Sequence, residues 1–242
     1  MGTAFAGGRD FAGLGARGMA IKAVAFDAFP IFDPRPVAAL TERVFPGRGA
    51  ELTAAWRTRQ FEYTWLRSLS GDYADFWRVT DDALRFATAS LKLELSAASR
   101  DELMNAFLHL RPWPDVVASL SALRQSGVRL ALLSNFTPAM LQSCIRDSGL
   151  EGTFDHVLST DQAQTFKPDP RAYQLGVDAL RLPRQEIAFA AFAGWDAAGA
   201  TRFGYPTFWI NRAQAPAEVL GREPEGTGAT LADLVAFLSA RR

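Results

Sequence analysis

Short apolar segments alternate with amphipathic segments along most of this chain. Short apolar segments that are bounded by polar or turn-forming residues indicate buried strands. Five segments have this pattern, at positions 21–26, 128–134, 156–159, 187–192 and 207–210. Segments with apolar residues at helical spacing lie between them, at 115–126, 138–148 and 171–180. Strands that alternate with helices predict an α/β fold, in which helices cover both faces of a parallel sheet.

One long stretch after the first strand breaks this alternation. Positions 36–111 have a helical period, and their apolar residues share faces: Phe61, Trp65, Leu66 and Leu69 on one, Ala83, Phe86 and Leu91 on another. The sequence Pro112-Trp113-Pro114 marks the return to the earlier pattern. We therefore predict a poorly ordered extension at 1–19, a core domain made of 20–34 and 112–242, and an inserted helical cap domain at 35–111. Positions 216–228 indicate a surface loop before a last helix at 231–240.

Composition and charge narrow the classes of partner and of cellular location. The chain has 242 residues, and its 26 basic and 26 acidic side chains balance without a basic run, which does not favour nucleic acid or an anionic membrane as a partner. No apolar run reaches the roughly 20 residues of a membrane-spanning helix. The Gly- and Ala-rich start lacks the continuous apolar segment of a secretory signal. Cys144 is the only cysteine, which fits a reducing cytoplasm.

Polar residues stand where several of the predicted strands end. Asp27 follows the first strand, Ser134 and Asn135 end the second, Lys167 follows the third after a loop, and Asp196 comes after the fourth. Ligands of parallel α/β sheets bind at the carboxyl ends of the strands. Each of these residues alone is more often an ordinary solvated side chain. The ordered set of two carboxylates, a lysine and a hydroxyl–amide pair indicates a nucleophile with the groups that control it.

Four motifs in order resemble the haloacid dehalogenase superfamily. They are Phe-Asp-Ala-Phe at 26–29, Leu-Ser-Asn at 133–135, Phe-Lys-Pro-Asp at 166–169 and Gly-Trp-Asp-Ala-Ala-Gly-Ala at 194–200. The segments 55–57 and 62–67, and the segment 203–212, are similar to the cap and to the last core strand of the type II L-2-haloacid dehalogenases. The resemblance extends from about Ile21 to the last helix. It implies a Rossmann-like core with an inserted cap.

The resemblance also implies a reaction. The first aspartate attacks the carbon next to the substrate carboxylate, halide leaves with inversion, and water hydrolyses the resulting aspartyl ester to a 2-hydroxy acid. Asp27 matches this nucleophile, and Lys167 matches the lysine that keeps it ionised. Asp196 matches a second acid that pairs with the lysine and helps to activate water.

The same resemblance implies a set of residues around a small carboxylic acid substrate. Ser134 matches the residue that binds the substrate carboxylate, and Arg57 and Asn135 match the groups around the departing halide. Tyr173 matches a tyrosine near the lysine. Phe76 and Trp195 match apolar walls around the reacting carbon, although core packing explains Phe76 equally well.

Several positions depart from the family pattern. Phe29-Pro30-Ile31 stands where the dehalogenases have Tyr-Gly-Thr, Phe136 stands where they have Gly, and Ala-Phe-Ala-Gly at 191–194 stands where they have Ser-Ser-Asn before one further residue. A threonine, a serine and an asparagine that orient the nucleophile or the water are therefore absent. Small residues became large at 136 and 192 while polar residues became small at 191 and 193, which indicates volume exchanged within one pocket. We expect a more apolar pocket, with Phe29, Phe136 and Phe192 among its walls.

The residues leave three functions open. The first is hydrolysis of a 2-haloacid, and the second is the same displacement on another 2-substituted acid, such as ring opening of azetidine-2-carboxylate. The third is a non-catalytic binding protein on the same fold. A phosphatase is disfavoured because Phe29 occupies the position of its second aspartate, so no metal or other cofactor is predicted. The resemblance, with the apolar stripe of Trp65, Leu66 and Leu69, also suggests a homodimer.

Overall fold

The computed structural model describes residues 20–241, so the predicted poor order of 1–19 lies outside the described residues. Within them, six parallel strands form one sheet in the order β3-β2-β1-β4-β5-β6. The strands are β1 Ala23–Phe26, β2 Arg129–Ser134, β3 His156–Ser159, β4 Ile187–Ala191, β5 Thr207–Ile210 and β6 Gly226–Gly228. β1 is central, because it pairs with β2 on one side and with β4 on the other. The predicted α/β fold with a parallel sheet is confirmed.

Alternate residues of each central strand enter two different cores. Val24 and Phe26 of β1 belong to one apolar cluster, and Ala23 and Ala25 belong to the other. Helices α6 Val116–Gln125, α7 Pro138–Asp147 and α10 Leu231–Ser239 contribute to the first cluster. Helices α8 Pro170–Leu180 and α9 Gly194–Phe203 contribute to the second. Both faces of the sheet are therefore covered, which explains why the strands are continuously apolar.

A layer of helices separates β1 from β2 in the chain. After the short α1 Ala28–Ile31 come α2 Arg35–Val44, α3 Gly49–Ser70, α4 Phe76–Ser90 and α5 Ala97–Asn105. Asp75 is the N-cap of α4, and its carboxylate accepts a 2.7 Å hydrogen bond from the Arg78 amide. α3 packs along α4, where the Trp56 indole donates a 2.8 Å hydrogen bond to the carbonyl of Thr80.

The two segments that join these helices to the sheet run side by side. The amide of Asp33 donates to the carbonyl of Arg111 at 2.8 Å, and the amide of Trp113 donates to the carbonyl of Ile31 at 3.1 Å. An isolated antiparallel bridge joins Phe32 to Pro112 between them. Few segments cross between the two parts, as is typical of a domain boundary. We propose that residues 35–111 are a cap domain on a core made of 20–34 and 112–241.

Two details differ from the sequence predictions. The segment predicted as a loop at 216–228 contains β6, whose residue Thr227 pairs with Trp209 of β5. Its Gly-Thr-Gly sequence has no apolar pattern, because a short edge strand is held by its backbone hydrogen bonds. The apolar face predicted for α3 is divided: Phe61 and Trp65 are partly buried, whereas Leu66 is 56% and Leu69 is 86% exposed.

Within residues 20–241, no helix combines the length and the apolar character that crossing a membrane requires.

Candidate active site

The polar residues predicted at the strand ends come together at one edge of the sheet. Asp27 directly follows β1 and is the N-cap of α1, where its Oδ2 accepts a 3.3 Å hydrogen bond from the Phe29 amide. Ser134 is the last residue of β2, and Asn135 follows it. Asp196 lies in the first turn of α9, immediately after β4. Parallel strands end on the same side, so the sequence order alone brings these groups together.

A buried lysine lies between the two carboxylates. The Lys167 ammonium donates a 2.8 Å hydrogen bond to Oδ1 of Asp27 and another of 2.8 Å to Oδ2 of Asp196. Only 1% of the lysine side chain is exposed, so the charges interact with little screening by water. Such hydrogen bonds between charged groups are short and strong, and they fix the direction of the Asp27 carboxylate.

Burial and charge act in opposite directions on the groups of this cluster. Burial raises the pKa of Asp196 to about 6, although the Lys167 ammonium opposes the increase and the Asp27 carboxylate adds to it. Burial by itself would lower the pKa of Lys167, but the attraction of Asp196 and Asp27 outweighs it and leaves this pKa above its ordinary value. The lysine therefore stays charged near neutral pH, whereas Asp196 can change its protonation state there.

Tyr173 was predicted among the residues around the substrate, but it is not part of the cavity wall. Its hydroxyl donates a 2.7 Å hydrogen bond to Oδ1 of Asp196, and the side chain is fully buried. Its position on α8 places it on the far side of Asp196, within the second apolar cluster. Tyr173 therefore contacts the site through Asp196 and does not face the cavity.

Ser134 and Asn135 face the cavity with part of their hydrogen-bonding capacity free. Oδ1 of Asn135 accepts hydrogen bonds from the Lys167 amide at 3.0 Å and from the Thr160 hydroxyl at 3.2 Å. Its Nδ2 has no hydrogen-bond partner among residues 20–241 and can therefore donate to a ligand. Oγ of Ser134 accepts from the Phe136 amide at 3.2 Å, which leaves the hydroxyl proton available for a ligand.

Arg57 of α3 brings a positive charge from the helical layer to the same cavity. It forms no ion pair with any of the described residues, and its guanidinium donates a 3.1 Å hydrogen bond to Gln60. It lies over the rings of Phe29 and Phe61, at 4.6 and 4.8 Å from their centroids. Burial lowers the pKa of Arg57 to about 10, and the charge of Asp27 opposes this decrease. An arginine so placed is suited to an anionic ligand.

Aromatic rings form the rest of the wall. The rings of Phe29, Phe76, Phe136, Phe192 and Trp195 all line the cavity. Phe76 is 1% exposed and stacks on Phe136 at 5.6 Å, so it serves both as core and as wall. The cavity volume open to water is only about 20 Å³, which is room for roughly one water molecule.

The sequence did not identify every residue of this site. Phe61 also lines the cavity and packs against Trp195 at 5.1 Å. Gln60 and Phe61 lie three and four residues after Arg57 on α3, so helical spacing could have placed both near it. Trp113 also contributes to the site, because its indole donates a 2.9 Å hydrogen bond to the carbonyl of Phe29. No pattern in the sequence indicates that contact.

The arrangement fits nucleophilic chemistry on a small anion. A carboxylate that accepts a 2.8 Å hydrogen bond from an ammonium group is held in a fixed direction, as attack on carbon requires. Among residues 20–241, no group of three or more His, Cys, Asp and Glu side chains is arranged to hold a metal ion.

Comparison with known proteins gives the same picture. The sequence model of the haloacid dehalogenase-like hydrolases matches residues 19–204. An (S)-2-haloacid dehalogenase of Pseudomonas sp. (strain YL) is 45% identical over 206 residues, which cover 85% of this chain and 89% of the relative.

Solved structures agree with the sequence comparison. The crystal structure of the L-2-haloacid dehalogenase RSc1362 has a TM-score of 0.89 and 43% identity, and the match covers 91% of this chain and 99% of that one. An L-2-haloacid dehalogenase from Xanthobacter autotrophicus with covalently bound chloropropionic acid has a TM-score of 0.83 and 35% identity, with coverages of 90% and 98%. The fold, the motifs in order and these similarities show that the chain is an enzyme of the haloacid dehalogenase-like hydrolase family.

Proposed function

We propose that this enzyme is a hydrolytic 2-haloacid dehalogenase. The observation that carries the proposal is the Lys167 ammonium at 2.8 Å from both Asp27 and Asp196, at the wall of a closed cavity that also contains the cation of Arg57. Two cationic side chains at an otherwise largely aromatic cavity suit a small substrate with a carboxylate and a departing halide. The names of the relatives support this substrate class over an azetidine ring or a non-catalytic binding role.

In the proposed first step, an oxygen of Asp27 attacks C2 of the substrate. The C–halogen bond breaks, halide leaves with the bonding electrons, and an ester joins Asp27 to C2. Lys167 holds the Asp27 carboxylate in place through its 2.8 Å hydrogen bond, and Ser134 binds the substrate carboxylate through its free hydroxyl proton. Arg57 and the Nδ2 group of Asn135 stabilise the charge that develops on the halide.

In the proposed second step, water attacks the carbonyl carbon of the ester. Asp196 accepts a proton from this water, the bond between the Asp27 carbonyl carbon and the ester oxygen on C2 breaks, and that oxygen takes the proton back from Asp196. The 2-hydroxy acid leaves with the oxygen that first attacked, and Asp27 gains a new oxygen from water. Tyr173 orients Asp196 through its 2.7 Å hydrogen bond. Phe29, Phe76, Phe136, Phe192 and Trp195 exclude other water from the site.

Isotope labelling tests this mechanism. In a single turnover in ¹⁸O-water, we expect no label in the product hydroxyl and label in Asp27, because water attacks the ester carbonyl. Asp27→Asn should abolish halide release, since a neutral amide is a poor nucleophile. Label in the hydroxyl on the first turnover would show direct attack of water on C2 and would overturn the covalent mechanism.

The reaction as proposed needs no metal, because Phe29 occupies the position at which the related phosphatases carry a second aspartate. We expect turnover to be unchanged by a chelator such as EDTA. Loss of turnover that Mg²⁺ restores would contradict this expectation. The single, buried cysteine is consistent with the cytoplasmic location that we also propose.

A further inference from the structure

Three phenyl rings line the same cavity as Asp27, and the ring of Phe29 contacts the other two. The ring centroid of Phe29 lies 5.2 Å from that of Phe136 and 5.6 Å from that of Phe192. The cavity that these rings leave open has a volume of about 20 Å³. These rings therefore limit the space in the cavity beside the nucleophile.

The backbone under each of the three rings is fixed by a side-chain hydrogen bond. The Trp113 indole donates to the carbonyl of Phe29 at 2.9 Å. The Ser159 hydroxyl donates to the carbonyl of Phe136 at 2.6 Å, and the Trp209 indole donates to the carbonyl of Phe192 at 2.9 Å. A ligand that needs more room on the side of these rings must rotate them, because their main chain cannot move away without breaking the hydrogen bonds.

Further packing opposes such rotation of Phe136. Its ring is stacked on Phe76 at 5.6 Å and meets the edge of Phe107 at 6.4 Å, and only 1% of the residue is exposed. Close-packed interiors resist extra atoms because neighbouring side chains would leave their preferred rotamers. The cavity should consequently discriminate strongly by size.

The polar and apolar parts of the wall indicate which part of a substrate meets the rings. The carboxylate and the halogen both have polar partners in Ser134, Asn135 and Arg57, all of which line the cavity. The remaining substituent on C2 must face the aromatic side. We propose that Phe136 and Phe192, braced against Phe29, are specificity-determining residues that restrict the enzyme to haloacetates, which carry only hydrogens at that position. This inference rests on the proposed dehalogenation.

Substrates of increasing length test the inference. Halide release gives kcat/KM for chloroacetate, (S)-2-chloropropionate and (S)-2-chlorobutyrate. One methylene group changes discrimination in an apolar pocket by about 10- to 200-fold. We expect chloroacetate to be preferred over chloropropionate by an amount in that range, and chlorobutyrate to react more slowly still.

Shortening the rings should relax this preference. Phe136→Ala and Phe192→Ala should each reduce the chloroacetate-to-chloropropionate ratio by about tenfold or more, by accelerating the longer acid. Phe208→Leu is the matched control, because Phe208 is buried and pairs with Phe237 at 5.0 Å but does not line the cavity. This control should leave the ratio unchanged. Phe136→Leu and Phe192→Leu replace the alanine variants if thermal melting shows that those do not fold.

The outcomes separate the inference from the proposed function. Equal kcat/KM for chloroacetate and chlorobutyrate in the unaltered enzyme would overturn the inference and leave dehalogenation standing. A ratio that no ring variant changes would do the same. No halide release from any of the three acids, by the unaltered enzyme or by any variant, would overturn the proposed dehalogenation and the inference with it.

Discussion

At the scale of single residues, the chemistry depends on one ammonium group between two carboxylates. Burial raises the pKa of Asp196 to about 6, and we expect ester hydrolysis to need the ionised form of this carboxyl group. Protonation of Asp196 should therefore reduce kcat about tenfold per pH unit below about pH 6, with a plateau above it. The pKa of Lys167 is raised above its ordinary value, so the lysine sets no alkaline limit near neutral pH. A pH–rate profile measures this, and a rate independent of pH between about 4 and 8 would contradict it.

Tyr173 should influence the acidic limb of the pH–rate profile, which is the decrease in kcat below about pH 6, through its hydrogen bond to Asp196. Its hydroxyl donates to the ionised form of Asp196, so Tyr173→Phe should raise the pKa of Asp196. A hydrogen bond to a charged group contributes about 1.5–3 kcal/mol, and one pKa unit corresponds to about 1.4 kcal/mol, so the limb should move up by about one to two pH units. Tyr205→Phe is the matched control, since the Tyr205 hydroxyl donates to the Tyr173 carbonyl and not to Asp196. A limb that moves equally in both variants would rule out this positioning role.

At the scale of elements, the short helix α1 determines how Asp27 and Phe29 face the cavity. Four residues are too few for a helix that is stable by itself. Its carbonyls are held from outside: the Trp113 indole donates to Phe29 at 2.9 Å, and Nη2 of Arg212 donates to Pro30 at 3.1 Å. Arg212 is in turn held by an ion pair of 3.0 Å with Asp115. Residues from the far end of the chain therefore hold the turn that carries the nucleophile.

The variant Trp113→Phe measures how much the hydrogen bond between Trp113 and Phe29 contributes to stability. The variant leaves the buried carbonyl of Phe29 without its donor, which costs about 1–3 kcal/mol in the free energy of unfolding. Urea denaturation measures this loss, and kcat should fall because α1 is less well held. Trp77→Phe is the control, because the Trp77 indole has no hydrogen-bond partner within residues 20–241. A loss no larger than in the control would show that the contact contributes little.

At the scale of the whole molecule, the site is complete only while the helical layer rests on the sheet. Arg57 and Phe61 of α3 line the cavity together with residues of the core. Contacts outside the cavity also hold the layers together: among them, the Tyr73 hydroxyl donates to Asp161 at 2.7 Å, and the Phe166 amide donates to Ser68 at 3.2 Å. Because the cavity has a volume of only about 20 Å³, we expect the proposed cap to move when the substrate binds.

The exposed leucines of α3 give a prediction about assembly. Leu66 and Leu69 are 56% and 86% exposed, and a homodimer that covered them would remove this apolar surface from water. We expect a dimer mass by light scattering at micromolar concentration and a monomer mass for the Leu66→Glu, Leu69→Glu double variant. Val219→Glu is the control, because Val219 is 98% exposed in a loop distant in sequence from α3. A monomer mass for the unaltered protein would contradict the homodimer.

The sequence by itself determined the class of fold and the members of the charged cluster. Apolar segments predicted the strands of a parallel sheet, and the structure places β1, with Asp27 at its end, between β2 and β4. Asp27, Lys167 and Asp196 follow strand ends. Because parallel strands end on the same side of the sheet, the topology brings these three side chains close together. The short edge strand β6 could not be predicted, because its pairing uses backbone groups and leaves no pattern of side chains.

Only the tertiary structure decided how these groups are used. The place of Tyr173 behind Asp196, the contact of Trp113 with Phe29 and the joining of Phe29, Phe136 and Phe192 into one wall depend on segments far apart in the chain. Side-chain volume at each position can be read from the sequence, which is why a reshaped pocket was predictable. The cavity volume of about 20 Å³ depends on how rings from several elements pack against one another. No local pattern in the sequence predicts that packing.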